Sequence, residues 1–144
     1  MPSSIKEFRG LYHFLSNFHE ASVYWDGITY RNNEAAFQSA KLVDKNERLQ
    51  FADMSPNEAK KLGRVVTLRK DWEDVKLNIM YEIVKAKFTQ NAGLTIRLLE
   101  TGDVLLEEGN HWGDRYWGTV NGIGENHLGK ILMRVREELR GGVR

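Results

Sequence analysis

Residues 23–41 read VYWDGITYRNNEAAFQSAK, and this stretch predicts a β-hairpin followed at once by a helix. The hairpin signal is a pair of β-rich runs joined by Asp26-Gly27, a dipeptide that tight hairpin turns prefer. Asn32 or Asn33 is then the expected N-cap of an alanine-rich helix. The helix that carries Glu34 is therefore expected directly after a hairpin.

One face of this helix carries a carboxylate, an amide and an ammonium group. At about 100° per residue, Glu34, Gln38 and Lys41 share a sector of roughly 80–100°. Phe37 lies in the same sector, and small residues opposite allow close packing. The polar face is therefore suited to the wall of a cavity, with an ordinary solvated face as the alternative.

The composition is that of a globular protein and excludes several function classes. Its 144 residues, 41% hydrophobic and 28% charged, predict a single domain spanning 1–144. A net charge of +1 provides no field for wrapping long nucleic acid. The absence of cysteine excludes disulfides and thiolate chemistry. No signal-peptide pattern or membrane span is found, so the cytoplasm is the expected compartment.

Capping signals and periodicity predict further elements. Ser55-Pro56-Asn57-Glu58 is a capping box that opens a helix ending near Gly63. Asp71 is expected to cap a long helix that reaches about Gln90. The predicted elements that follow are a helix over 91–101, a strand over 104–106, a long glycine- and tryptophan-rich loop over 109–124 and a last helix from about Asn126.

The residue types present favour chemistry without a metal or a cofactor. The four histidines lack zinc-binding spacing, and no Walker loop, nucleophile elbow or aspartate cluster is present. Carboxylate, amide, amine and aromatic groups remain. Cleavage of a glycosidic bond suits these groups, because a carboxylate stabilises an oxocarbenium-like transition state that water can attack.

Arginine and tryptophan residues are candidates for substrate binding. Arg64 and Arg69 flank the strand-like segment 65–68 and are suited to phosphate oxygens, with surface salt bridges as the alternative. Trp112 and Trp117 lie in the glycine-rich loop, where a base can stack on an indole face unless the rings cap the core.

Short motifs run in order through nearly the whole chain. They are Phe8-Arg9-Gly10, Phe14-Leu15-Ser16-Asn17-Phe18, EAAFQSAK at 34–41, Gly63-Arg64, LRKDW at 68–72, Lys87-Phe88, LLETGD at 98–103, Asp114 with Trp117-Gly118, and GIGENHLG at 122–129. Their joint order and spacing, from Phe8 to about Arg136, resemble those of the YbiA-like, or NADAR, family of N-glycosidases.

The resemblance implies an α+β fold, a single compact and mostly helical domain with a small antiparallel sheet. It implies cleavage of an N-glycosidic bond in phosphoribosylated aminopyrimidine intermediates of riboflavin biosynthesis, with release of ribose 5-phosphate. The alternatives are removal of ADP-ribose from guanine bases and non-catalytic binding of NAD-derived nucleotides. The expected partner is a small phosphoribosyl or ADP-ribosyl compound, and nucleic acid enters only as a modified substrate. The oligomeric state is left open.

The resemblance also implies roles for individual residues. Glu34 would stabilise the ribosyl cation or activate water, and Gln38 would orient the sugar or Glu34. Lys41 would bind phosphate or the ring oxygen, or attack the anomeric carbon as an amine. Asp114 would be a second carboxylate at the catalytic site and would bind the ribose hydroxyls or the base. The residues implied in substrate binding are Arg9, Asn17, Phe37, Arg64, Arg69, Trp72, Trp117 and Asn126.

Overall fold

The computed structural model describes residues 3–142, which group by their contacts into two units. The central unit comprises residues 17–91, and the terminal unit comprises the described residues of 1–16 and 92–144. Within residues 3–142 there are six α-helices, two short 3-10 helices and four short strands, so the predicted α+β class is confirmed.

The predicted hairpin is present in the central unit. β2 (Glu20–Trp25) pairs with β3 (Ile28–Asn32) in antiparallel register. Asp26 and Gly27 form the turn with φ values of 48° and 89°, in the left-handed region that a type I′ turn requires. Alternate residues of both strands are buried, so one face of the hairpin packs inward.

The polar helix follows the hairpin without a linker. α1 (Asn33–Ser39) is capped by Asn32, the last residue of β3, whose side-chain oxygen accepts a hydrogen bond from the backbone N of Ala35 at 2.8 Å. The helix is shorter than expected, because Ala40 is its C-cap and Lys41 lies in the following turn.

Every residue of α1 is buried, and this excludes the solvated face as an explanation of its polar residues. Glu34 is 9% exposed and Gln38 is 7% exposed. α1 packs against α3 (Pro56–Gly63) and α4 (Trp72–Gln90), as well as the hairpin. Protein therefore surrounds the helix that carries the predicted catalytic carboxylate.

The predicted N-caps of two other helices in the central unit have different outcomes. Ser55 forms the predicted capping box with Glu58, with bonds of 2.9 and 3.2 Å, and α3 ends at Gly63 as expected. Asp71 occupies the N-cap position of α4, but its side chain makes no capping bond. That expectation was wrong because the carboxylate binds the Arg69 guanidinium instead.

The segments between these helices differ from the sequence prediction in two places. The strand-like segment 65–68 is a turn followed by irregular backbone, because none of the described strands pairs with it. A short helix, α2 (Lys45–Arg48), was not predicted, because four residues carry no helical period. Its N-cap is Asp44, whose carboxylate accepts from the backbone N of Asn46.

The terminal unit contains the second small sheet. β1 (Ser4–Ile5) pairs in parallel with β4 (Leu105–Leu106), so the expectation of an antiparallel sheet holds for the hairpin alone. The other elements of this unit are a 3-10 helix at Gly10–Leu15, α5 (Ala92–Glu100) and α6 (His127–Gly142). α5 packs against α6. No helix in the described part of the chain has the length and apolar character needed to cross a membrane.

A lysine lies inside the core of the central unit. The Lys87 side chain is fully buried on α4, with its ammonium nitrogen 5.0 Å from the centre of the Phe88 ring. Burial lowers the pKa of Lys87 from 10.5 to about 7, because the charged form loses its hydration. The amine of Lys87 therefore titrates near neutral pH in the folded protein.

Stability should depend on pH through Lys87. The folded protein releases this proton near pH 7, whereas the unfolded chain keeps it until about pH 10. Between these values the unfolded state binds more protons, so the free energy of unfolding should rise from about pH 7 to about pH 9, by up to about 2 kcal/mol from this group. Chemical denaturation of the wild type and of Lys87→Met measures the effect.

The difference in unfolding free energy between these two proteins should change by that amount over the same pH range. Lys70→Met, at an exposed lysine, is the control and should track the wild type. A difference between wild type and Lys87→Met that stays constant with pH would contradict a lowered Lys87 pKa.

Candidate active site

The centre of the site is a carboxylate and an amide one helical turn apart on α1. Gln38 Nε2 donates a hydrogen bond to Glu34 Oε2 at 2.7 Å, and both side chains are buried. An ionised carboxylate only accepts hydrogen bonds, so the amide nitrogen is a matched partner. The bond fixes the orientation of the Glu34 carboxylate.

The start of α1 is held by two asparagines. The backbone N of Glu34 donates to the backbone oxygen of Asn17 at 3.1 Å. The Asn17 side chain accepts from Asn33 Nδ2 at 3.2 Å and donates to Met80 Sδ at 3.5 Å. Asn17 is thus brought next to Glu34, where it anchors the first turn of the helix. A role in substrate binding stays a prediction.

Lys41 reaches from the end of α1 to the end of α3. Its Nζ donates to the backbone oxygen of Gly63 at 3.0 Å. Burial lowers the pKa of Lys41 below its usual 10.5, the Glu34 carboxylate opposes this shift and the Arg64 guanidinium adds to it. The Glu34 carboxylate and the Arg64 guanidinium therefore both act on the Lys41 ammonium group, and the neutral Lys41 amine forms more readily than that of an ordinary lysine.

Arg69 supports the turn that carries Lys41. Its guanidinium binds both carboxylate oxygens of Asp71, at 2.6 and 3.1 Å, and donates to the backbone oxygen of Ala40 at 3.4 Å. Its backbone N donates to the oxygen of Lys41 at 2.9 Å. These contacts position the end of α1, while phosphate binding by Arg69 stays a prediction.

Two predicted aromatic residues meet beside the polar groups. The rings of Phe37 and Trp72 lie 5.1 Å apart at an angle of 51°. Each side chain is 6% exposed, so each ring has little free surface on which a base can stack. In this structure the pair packs α1 against the first turn of α4.

A cleft of about 490 Å³ opens beside Lys41 in the central unit. Its lining residues are Lys41, Leu42, Val43, Asp44, Glu47, Thr67 and Arg69. No sequence pattern pointed to Asp44, Glu47 or Thr67 as neighbours of the site, because they come from α2 and from the irregular segment after α3. The cleft therefore gives the lysine side of the site an opening.

The other four predicted residues belong to the terminal unit, and two of them fill structural positions there. Asp114 Oδ1 accepts from the backbone N of Tyr116 at 3.1 Å and of Trp117 at 2.9 Å, which orders a turn. Asn126 accepts from the backbone N of Glu108 at 2.9 Å and donates to the backbone oxygen of Leu106 at 3.0 Å. Their roles at the site stay predictions.

Arg9 and Trp117 complete this group. Arg9 is exposed and precedes the 3-10 helix of the terminal unit. The Trp117 ring meets the Tyr116 ring edge-on at 4.9 Å and lies 6.4 Å from the ring of His127. Trp117 thus belongs to an aromatic cluster, and stacking on a base also stays a prediction.

Comparison with known proteins gives concordant results. A model of the NADAR domain family matches residues 6–140. An N-glycosidase of Nostoc punctiforme is 41% identical over 136 residues, which cover 90% of this chain and 86% of the relative. A riboflavin biosynthesis protein of Vibrio vulnificus is 38% identical over 133 residues, which cover 88% of this chain and 35% of that larger protein.

The relative from Escherichia coli is similar to this chain both in sequence and in its solved structure. The N-glycosidase YbiA of Escherichia coli is 39% identical over 129 residues, which cover 87% of this chain and 80% of the relative. The NMR structure of E. coli YbiA matches with a TM-score of 0.84, covering 97% of this chain and 87% of that chain at 37% identity. The match confirms the α+β fold, and the names of the relatives confirm the enzyme class, N-glycosidase. The chain belongs to the NADAR domain family.

Proposed function

We propose that the protein hydrolyses the N-glycosidic bond of phosphoribosylated aminopyrimidine intermediates of riboflavin biosynthesis and releases ribose 5-phosphate. The buried Glu34 carboxylate, oriented by Gln38 at 2.7 Å, is the observation that carries the proposal. The names of the relatives, N-glycosidase and riboflavin biosynthesis protein, support the bond type and the substrate class. The family match over 6–140 supports one functional domain.

In the proposed reaction the bond between the anomeric carbon and the base nitrogen breaks, and its electron pair stays with the base. Positive charge develops on the ribose, and a carboxylate aimed at it lowers the barrier. Water then bonds to the anomeric carbon and loses a proton, while the base gains one. Glu34 either stabilises the cation or takes the proton from water. The Gln38 amide keeps the Glu34 carboxylate oriented throughout the reaction.

The cations of the central unit support a phosphate-bearing substrate. Lys41 lines the cleft, and the exposed Arg64 lies close enough to influence its charge. Lys41 and Arg69 both line the cleft, and two cations at one opening suit a phosphate group. In this proposal Arg69 adds a further contact to the phosphate.

The proposal is tested by product analysis. We expect free ribose 5-phosphate when the pure protein is incubated with a phosphoribosylated aminopyrimidine, and equal activity after dialysis against EDTA. Carboxylate and water suffice for the chemistry, and residues 3–142 contain no group of three His, Asp or Glu side chains placed to hold a metal ion. A parallel incubation contains guanine-linked ADP-ribose.

Each other outcome has a defined meaning. Release of ADP-ribose alone would show that the substrate is modified guanine and not a phosphoribosylated aminopyrimidine. Nucleotide binding without any product would show that the protein binds nucleotides and does not cleave them. Loss of activity in EDTA, restored by one divalent ion, would contradict the metal-independent mechanism.

Replacing the carboxylate tests Glu34. Glu34→Gln should keep the fold, because the new amide oxygen still accepts from Gln38. Turnover should fall by at least about 10²-fold, because the charge that stabilises the transition state is lost. Steady-state kinetics and thermal unfolding measure the two effects.

The matched control is Glu73→Gln, which removes the charge of an exposed glutamate on α4. It should leave turnover unchanged. A folded Glu34→Gln protein with near-normal turnover would show that Glu34 is not catalytic and that its helix serves binding.

A substitution at Lys41 distinguishes two mechanisms. If it acts only by its charge, Lys41→Arg should keep activity within about tenfold of the wild type, since the cation is retained. If its amine attacks the anomeric carbon, arginine cannot replace it, because guanidinium stays protonated. We propose the simpler mechanism, in which water attacks the anomeric carbon. Comparing kcat of Lys41→Arg with that of the wild type distinguishes it from attack by the amine.

Trapping gives a second readout for Lys41. In the amine mechanism Nζ bonds to the anomeric carbon as the bond to the base breaks, and ring opening leaves an iminium ion that borohydride reduces. Under the water mechanism, borohydride added during turnover should leave the protein mass unchanged. A ribosyl-sized increase in mass located on Lys41 would overturn that mechanism.

A further inference from the structure

Gly63 is a glycine where the backbone does not require one. It is the last residue of α3, it is buried, and the residue after it keeps a right-handed helical conformation with φ −74° and ψ −21°. It is absent from the positive-φ glycines of the described chain. Glycine is a poor helix former compared with alanine, so the reason for it lies in its surroundings.

The side chain of one residue fills the space beside the α-carbon of Gly63. A Cβ atom added at Gly63 would lie 1.8 Å from Oε1, 2.6 Å from Cδ and 3.0 Å from Cβ of Gln38. These three are the nearest heavy atoms. The Gln38 carboxamide thus occupies the space that any other residue at position 63 would fill.

The same contact decides which end of the carboxamide faces Glu34. Gln38 Oε1 is buried against Gly63 and accepts no hydrogen bond from the described residues, whereas Nε2 donates to Glu34. A buried acceptor without a partner costs free energy, so this orientation must be favoured by other contacts. Turned around, the amide oxygen would face the carboxylate and repel it.

We propose that Gly63 is a positioning residue of the N-glycosidase site, an inference that rests on the proposed roles of Glu34 and Lys41. Its missing side chain lets Gln38 lie flat against α3 and hold Glu34. Its carbonyl oxygen accepts from Lys41 Nζ at 3.0 Å, so the same residue sets the positions of the amide and the amine. A methyl group at position 63 would displace the carboxamide, which disturbs its bond to Glu34, or would displace α3, which also moves the carbonyl oxygen that Lys41 binds.

A double-mutant cycle tests this role. Gly63→Ala should fold and lose about 10²-fold in kcat with a smaller change in KM, because misplacing a catalytic group by an ångström is that costly. In a Gln38→Ala background, where the colliding Oε1 and Cδ atoms are absent, the same change should cost no more than about threefold. The Gln38 side-chain amide resonances of Gly63→Ala should shift in NMR spectra of the free protein.

Gly93→Ala is the matched control, because Gly93 lies in α5 with no atom within 4 Å of an added Cβ. It should keep wild-type kinetics. Equal losses from Gly63→Ala in both backgrounds would show that the residue acts through the fold and would overturn the inference. Wild-type kcat with unmoved Gln38 resonances would do the same.

The NMR arm separates this inference from the proposed function. If the wild type cleaves none of the candidate substrates, the proposed function fails. The shift of the Gln38 amide resonances in Gly63→Ala still decides whether Gly63 positions that side chain. A shift in the variant supports the positioning role, and its absence overturns it.

Discussion

A carboxylate buried in a protein must be hydrogen-bonded, because losing water costs it several kcal/mol. Glu34 meets this requirement through the Gln38 amide at 2.7 Å, and much of the central unit follows from that bond. Both residues must share one helix face, the helix must begin just before Glu34, and the facing helix must leave room for the amide. Asn32 supplies the start, and Gly63 supplies the room.

Lys41 lies in a more open environment than the buried Glu34 carboxylate. Lys41 lies beyond the end of α1, half-buried, at a cleft that Glu34 and Gln38 do not line. Burial and Arg64 disfavour its charge, while Glu34 favours it. The candidate site therefore combines an enclosed carboxylate with a half-buried amine at the cleft. In the proposed reaction, the phosphate and the anomeric carbon of the substrate would meet these two different environments.

The parts predicted from the sequence are those set by local rules. The Asp26-Gly27 turn and the capping box at Ser55 act within four residues, and Glu34 and Gln38 share a face through helical periodicity. The parallel pairing of β1 with β4 joins two-residue strands about a hundred residues apart, which no local pattern records. The diversion of Asp71 to Arg69 and the contact of Gly63 with Gln38 likewise depend on how helices meet.

The direct junction between β3 and α1 has a consequence for how this enzyme can change. Asn32 ends a strand and caps the helix, so the hairpin register sets the rotation of α1 about its axis. One inserted residue at the junction would turn Glu34 by about 100° and carry it away from its buried position. A change of length at this junction would therefore disturb the candidate site, whereas a substitution there leaves the rotation of α1 unchanged.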